Sequence, residues 1–146
     1  MNSVVAHEVG HTICFWHYGI KSKAEFFADG TAQVTPEPHY LNAEAQLVVN
    51  VAGAVAENMY NPSNNSLHSG LGEDSKNICK LLGSPEKESI GYSISIALLI
   101  LGDNRYEYLV PPEHIAMLKD AIKTATEILI SNDKFMKEIY HQGAAQ

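Results

Sequence analysis

The sequence predicts a mainly helical single domain carrying one small β-hairpin. Three observations predict it. Apolar residues recur at spacings of three and four through several long segments of the 146 residues, which is the period of an amphipathic helix. Only one short segment, 23–35, has the extended, turn-split character of a hairpin. No internal repeat or low-complexity stretch breaks the chain into further units, and its length suits one domain.

Residues 3–18 read as the first helix, with Val4, Val5, Ile13, Cys14 and Trp16 apolar and Gly19 as its stop. From Lys23 to Thr35 the character turns extended, with Ala24-Glu25-Phe26-Phe27 and Thr31-Ala32-Gln33-Val34 on either side of Asp29-Gly30. Asp-Gly favours the positive backbone angles of a tight hairpin turn, and Pro36 and Pro38 should end the pairing. A second helix spans 42–60, its stripe made of Leu41, Val48, Val49, Ala52, Val55 and Ala56. Residues 61–72 are rich in Asn, Ser, Gly and Pro and form the clearest loop. Glu73 to Leu82 reads as a third helix, acidic where its N–H groups favour negative charge.

Pro85 opens a fourth helix that should run to Leu101. It contains the twelve-residue run 91–102, GYSISIALLILG. That run is too short to span a bilayer and reads as a buried helix; within it Ile94 to Leu101 reads as core, with a contact between subunits as the alternative. After a turn-rich connection, Ile115, Leu118, Ile122, Ala125 and Leu129 define a strong amphipathic helix. Asn132-Asp133 should kink or restart it before Phe135, Met136, Ile139 and Tyr140.

Composition narrows the function classes. Hydrophobic residues at 45% and charged residues at 18% are ordinary for a globular chain. Ten Lys+Arg against seventeen Asp+Glu give a net charge of −7, which argues against nucleic acid as a partner. No G-x-x-x-x-G-K-[ST] occurs, so no ATP motor is expected here. The start, Met1-Asn2-Ser3-Val4-Val5-Ala6, has no basic stretch leading into an apolar core. With only Cys14 and Cys79, a reduced, cytoplasmic protein without direct membrane insertion is expected.

His7-Glu8-Val9-Gly10-His11 fits H-E-x-x-H on the first helix. Four residues turn a helix by about 400°, so His7 and His11 lie nearly above one another and can reach one Zn²⁺. Glu8 projects beside them as a general base for a water whose pKa the ion lowers. A third ligand is needed, and the candidates are His17, His39, His68, Glu57 and Asp74. His17 is rotated by about 600° from His11 and points to another face. His39 lies among prolines and should be exposed. Spacing leaves Glu57, in the small-residue stretch 52–57, level with Asp74 at the start of the third helix. Cys14 could border the metal, although packing in the core suits it better. His68 is either a hydrogen-bond donor to a developing oxyanion or an ordinary loop histidine. The hairpin could offer its edge to an extended peptide or merely cap the core.

These motifs resemble those of the proteolytic domain of FtsH-type zinc metalloproteases, the M41 peptidases. Their pattern is H-E-A-G-H, then G-G-R-x-A-E-E, then T-T-G-A-x-x-D-L. Here it stands as 7–11, then Ala52-Gly53-Ala54-Val55-Ala56-Glu57-Asn58, then His68-Ser69-Gly70-Leu71-Gly72-Glu73-Asp74-Ser75. The C-terminal stretch 121–129 also resembles that family's last long helix. The resemblance implies a helical, zincin-like metallopeptidase domain without the AAA+ motor. It further implies Asp74 as the third zinc ligand beside His7 and His11, Glu8 as the catalytic base, and a supporting place for Glu57. Unfolded polypeptide is the implied substrate, with a separate unfoldase or a homo-oligomer as partner. Ala52 and Ala54 replace a Gly and the Arg of the second motif, and the third lacks its Thr pair and has Ser75 for Leu. Those departures motivate an alternative: a zinc-site domain with a binding or regulatory role that no longer cuts.

Overall fold

The computed structural model describes residues 3–38, 40–62 and 70–144. They form six α-helices and one two-stranded antiparallel sheet. In chain order these are α1 (Ser3–His17), β1 (Ser22–Phe26), β2 (Ala32–Pro36), α2 (Ala43–Tyr60), α3 (Gly72–Leu82), α4 (Ser89–Ile100), α5 (Pro112–Ser131) and α6 (Asp133–Ala144). Two 3-10 turns, Glu86–Glu88 and Glu107–Leu109, flank α4. The fold is mainly helical with a small sheet, as the periodicity predicts.

Helix α2 is the central element. It packs along α1 on one side and against α5 and α3 on others, while α6 returns to α1. Its residues Leu47, Val48, Val51, Ala52, Ala54, Val55 and Ala56 are all buried, so it is apolar nearly all round, as a central helix must be. Asn42 starts it: its side chain accepts the Ala45 N–H at 2.8 Å, satisfying one of the donors left open by a helix start.

Helix α1 ends where its glycine predicts. Gly19 has a φ of +78°; its N–H reaches the Trp16 carbonyl at 2.9 Å, and the Ile20 N–H reaches that of Phe15 at 2.9 Å. This paired closure turns the chain out of the helix and needs a left-handed residue. α3 ends in the same way at Gly83.

The hairpin forms, but its turn differs from the expected tight Asp-Gly pair. Phe26 pairs with Ala32, so residues 27–31 all belong to the connection. The Asp29 carboxylate accepts the Thr31 N–H at 2.9 Å and the Thr31 hydroxyl at 2.6 Å, and the Phe27 N–H closes on the Thr31 carbonyl at 2.9 Å. Asp29 thus folds the loop onto itself through its side chain. Pro36, expected to end the hairpin, is its last paired residue, opposite Ser22.

The expected fourth helix is shorter than its pattern. Pro85 is extended and the chain makes a 3-10 turn before α4 begins at Ser89. Nor is the run 94–101 uniformly core. Ser95, Ile96 and Ala97 are buried, whereas Ile94, Leu98, Leu99 and Ile100 are half-buried and Leu101 is exposed. The predicted restart at Asn132-Asp133 is present, with Met136 of α6 fully buried. Among the described residues no helix is long and apolar enough to cross a membrane.

Candidate metal centre

His7 and His11 occupy the same face of α1, and both are buried against α2. Asp74, in the first turn of α3, reaches them from the far side of a cleft. Its Oδ2 lies 2.8 Å from His7 Nε2 and 3.1 Å from His11 Nε2, and the two Nε2 atoms are 3.0 Å apart. Three donor atoms from three turns of chain therefore point at one another. Ligands about 2.0–2.1 Å from a common tetrahedral centre stand about 3.3 Å apart. The triangle is close to that size, and the donor set, two imidazoles and a carboxylate, suits zinc.

Each imidazole is fixed from behind. His11 Nδ1 lies 2.7 Å from the Val49 carbonyl, which can only accept, so Nδ1 carries the proton. In the neutral ring Nε2 then holds its lone pair toward the cluster. His7 Nδ1 donates to Glu57 Oε1 at 2.5 Å, leaving its Nε2 facing Asp74. Metal-binding histidines are commonly oriented this way, by an acceptor on the other ring nitrogen. Glu57 is 4% exposed and touches the rear of the His7 ring rather than the point where the three donors meet. Among the described residues, His7, His11 and Asp74 make up the one group placed to share an ion.

The electrostatics follow from the contacts. Burial opposes a charge on His7, but the carboxylates of Asp74 and Glu57 outweigh it and push its pKa up to about 10. Burial opposes the Asp74 charge too, yet His11 and His7 hold its carboxyl well below the usual carboxylate range. A divalent cation at the three donor atoms would compete with a proton on His7. Glu8 is half-buried, and burial pushes its carboxyl up against the pull of His11 and His7.

All four of these side chains and Glu57 line one cleft of about 1120 Å³. Its apolar wall comes from Phe15, Val34, Pro36, Leu41, Val49 and Leu81, and Gln46, Asn50 and Asn77 add amides. β2 thus reaches the cleft through Val34 and Pro36. Cys14 is absent from the cleft lining and lies fully buried, its thiol pushed up to about 12 by that burial. His17 is exposed, its ring 5.0 Å from that of Tyr18. His39 and His68 lie outside the described residues.

Three glycines make room for this cluster. A Cβ on Gly53 would come within 2.5 Å of His7 Nε2, so the imidazole lies directly over the α2 backbone. A Cβ on Gly70 would come within 2.5 Å of Glu57 Oε1. Gly10 permits the helix contact itself, since a Cβ there would be 2.6 Å from the Ala52 carbonyl oxygen. The small-residue stretch 52–57 signals close packing; that it seats an imidazole depends on where α1 lies, which no local pattern states.

The chain was compared with protein-family models, curated proteins and solved structures, and none of them matches.

Proposed function

We propose that this domain is a zinc-dependent metallopeptidase of the zincin-like, M41-like type, hydrolysing peptide bonds of unfolded polypeptides. The observation that carries the reading is the convergence of His7 Nε2, His11 Nε2 and Asp74 Oδ2, with Glu8 on the same cleft. His7, His11 and Asp74 would hold the ion. Bound zinc supplies Lewis acidity, polarising a carbonyl and lowering the pKa of water toward 7. Glu8, made more basic by burial, takes a proton from the attacking water while oxygen adds to the carbonyl carbon. It then returns that proton to the departing amine as the C–N bond breaks. Glu57 and the Val49 carbonyl hold the two rings still throughout. A cleft of about 1120 Å³ open beside these residues would suit a substrate already unfolded or delivered by a separate unfoldase.

Replacing Glu8 by Gln removes the base and leaves all three ligands. The variant should keep about one equivalent of zinc by metal analysis and lose cleavage of unfolded casein by at least about a hundredfold. Cleavage at the parent rate would sink the reading. Zinc retained with no turnover by the parent protein would instead favour the binding or regulatory alternative.

A further inference from the structure

Helix α2 presents Gln46, Asn50 and Glu57 to the cleft at spacings of four and seven residues, one continuous face. Glu57 and Gly53 support His7, as described. Asn50 has no part in that arrangement, yet it interrupts an otherwise apolar run, Val48-Val49-Asn50-Val51-Ala52. Asparagine is a poor residue for a helix interior, because its side chain competes for backbone partners. Opposite it, α3 carries Asn77 one turn after Asp74. The Asn77 Nδ2 donates to Asn50 Oδ1 at 3.4 Å, a long bond in an exposed position, and among the described residues it is the one side-chain hydrogen bond of Asn77. Asn50 uses its own N–H on the Gln46 carbonyl at 2.8 Å. The pair thus bridges the cleft loosely, with an Asn77 carbonyl oxygen and a second N–H in reserve.

We infer that Asn50 and Asn77 form a clamp for the main chain of an extended polypeptide. The inference rests on the peptidase reading for the identity of the ligand. Three residues of helix advance about 4.5 Å, so Asn77 stands about that far along α3 from Asp74. An extended chain advances about 3.3 Å per residue. The clamp therefore meets the substrate one or two residues from the bond to be cut. A carboxamide offers both an N–H and a carbonyl oxygen, the complement of a peptide group. A substrate peptide unit replaces the long Asn77–Asn50 bond with two shorter ones. Because only main-chain atoms are read, the clamp fixes register and direction without selecting a side chain.

The test uses a fluorescein-labelled casein decapeptide and a set of its single N-methyl derivatives, each lacking one main-chain N–H. Affinity is read by anisotropy on the zinc-loaded Glu8→Gln protein, with and without Asn50→Ala and Asn77→Ala together. Asn77 is exposed and alanine favours helix, so the double variant should fold; Asn77→Ala alone serves if it does not. One N-methyl position should weaken binding by about five- to tenfold in the parent background and less than about twofold in the amide variant. Zinc content should be equal in both. If every N-methyl peptide loses affinity equally in the two backgrounds, or none loses any, the clamp is wrong even where the parent enzyme cleaves casein. If the parent binds with this asparagine dependence but does not cleave, the clamp stands and the hydrolytic reading falls.

Discussion

Gly53 and Gly91 both lie inside helices, and their surroundings are opposite. Around Gly53 the α1–α2 contact is polar at its heart: His7, His11 and Glu57 are all buried there, packed among Gly10, Ala52, Gly53 and Ala56. Around Gly91, α4 is the most apolar helix by composition, yet its outer side is open, with Ile90 71% and Leu101 52% exposed. A Cβ on Gly53 would strike the His7 ring at 2.5 Å, whereas one on Gly91 would meet the Leu109 carbonyl oxygen at 3.5 Å, an ordinary contact. The lesson concerns what small residues do. In α2 they make room for groups that are costly to bury unless hydrogen-bonded. In α4 the glycine makes room for nothing and only weakens the helix.

The sharpest way to break that contrast is Gly53→Ala. By helix propensity alone it should help, by about 0.5–1 kcal/mol. The overlap with His7 reverses the sign, because the obstructing atoms belong to a ring pinned between Glu57 and Asp74. We expect a net loss of about 1–3 kcal/mol of stability in thermal or urea unfolding. Zinc affinity, read by chelator competition, should fall about 10–100-fold as the ligand is turned from its place. A stabilised variant with unchanged zinc affinity would show that the ring does not depend on that space.

A second, gradual test is pH. In the metal-free protein the His7 pKa is raised from 6.5 to about 10. Its contribution to stability is therefore complete below about 6.5 and is lost as pH rises through 10. Asp74 is held low, so its contribution is present above the ordinary carboxylate range and is lost as pH falls through its folded value. The urea midpoint of the metal-free protein should thus decline from pH 6 to pH 10. Zinc should show the inverse trend, since it displaces the His7 proton. Its affinity should rise about tenfold per pH unit between 6.5 and 9, with about one proton released per ion in calorimetry.

How much of this was legible beforehand differs between the two regions for one physical reason. Periodicity and caps are local signals, so α1, α2, α5 and the restart of α6 follow from them within a residue or two. The pairing of His7 with His11 is also local, four residues on one helix. Asp74 and Glu57 are 67 and 50 residues from His7, and nothing in their spacing distinguishes which one meets the two Nε2 atoms. That outcome depends on how α2 and α3 pack. The α4 run misleads in the same way: an evenly apolar helix does not say which side its neighbours cover. The hairpin connection differs again: Gly30 takes the positive φ that Asp-Gly favours, at +87°, but Asp29 does not, and the Gly30 N–H closes instead on the Phe27 carbonyl at 3.0 Å.

The smallest expected effect sits in the plainer region. Gly91 belongs to α4, with no φ in the left-handed range, and the nearest atoms to an added Cβ are the Leu109 carbonyl oxygen at 3.5 Å and the Leu109 Cβ at 3.7 Å. Alanine fits there without displacing anything. It also restricts the unfolded chain and favours helix, so Gly91→Ala should stabilise the protein by about 0.5–1 kcal/mol. Zinc affinity should stay unchanged. The pair of glycine substitutions then gives opposite signs from the same chemical change, and urea unfolding of both in one buffer decides it. If Gly91→Ala destabilised as much as Gly53→Ala, helix α4 would be packed far more tightly than its exposed side chains indicate, and the contrast between the two regions would fail.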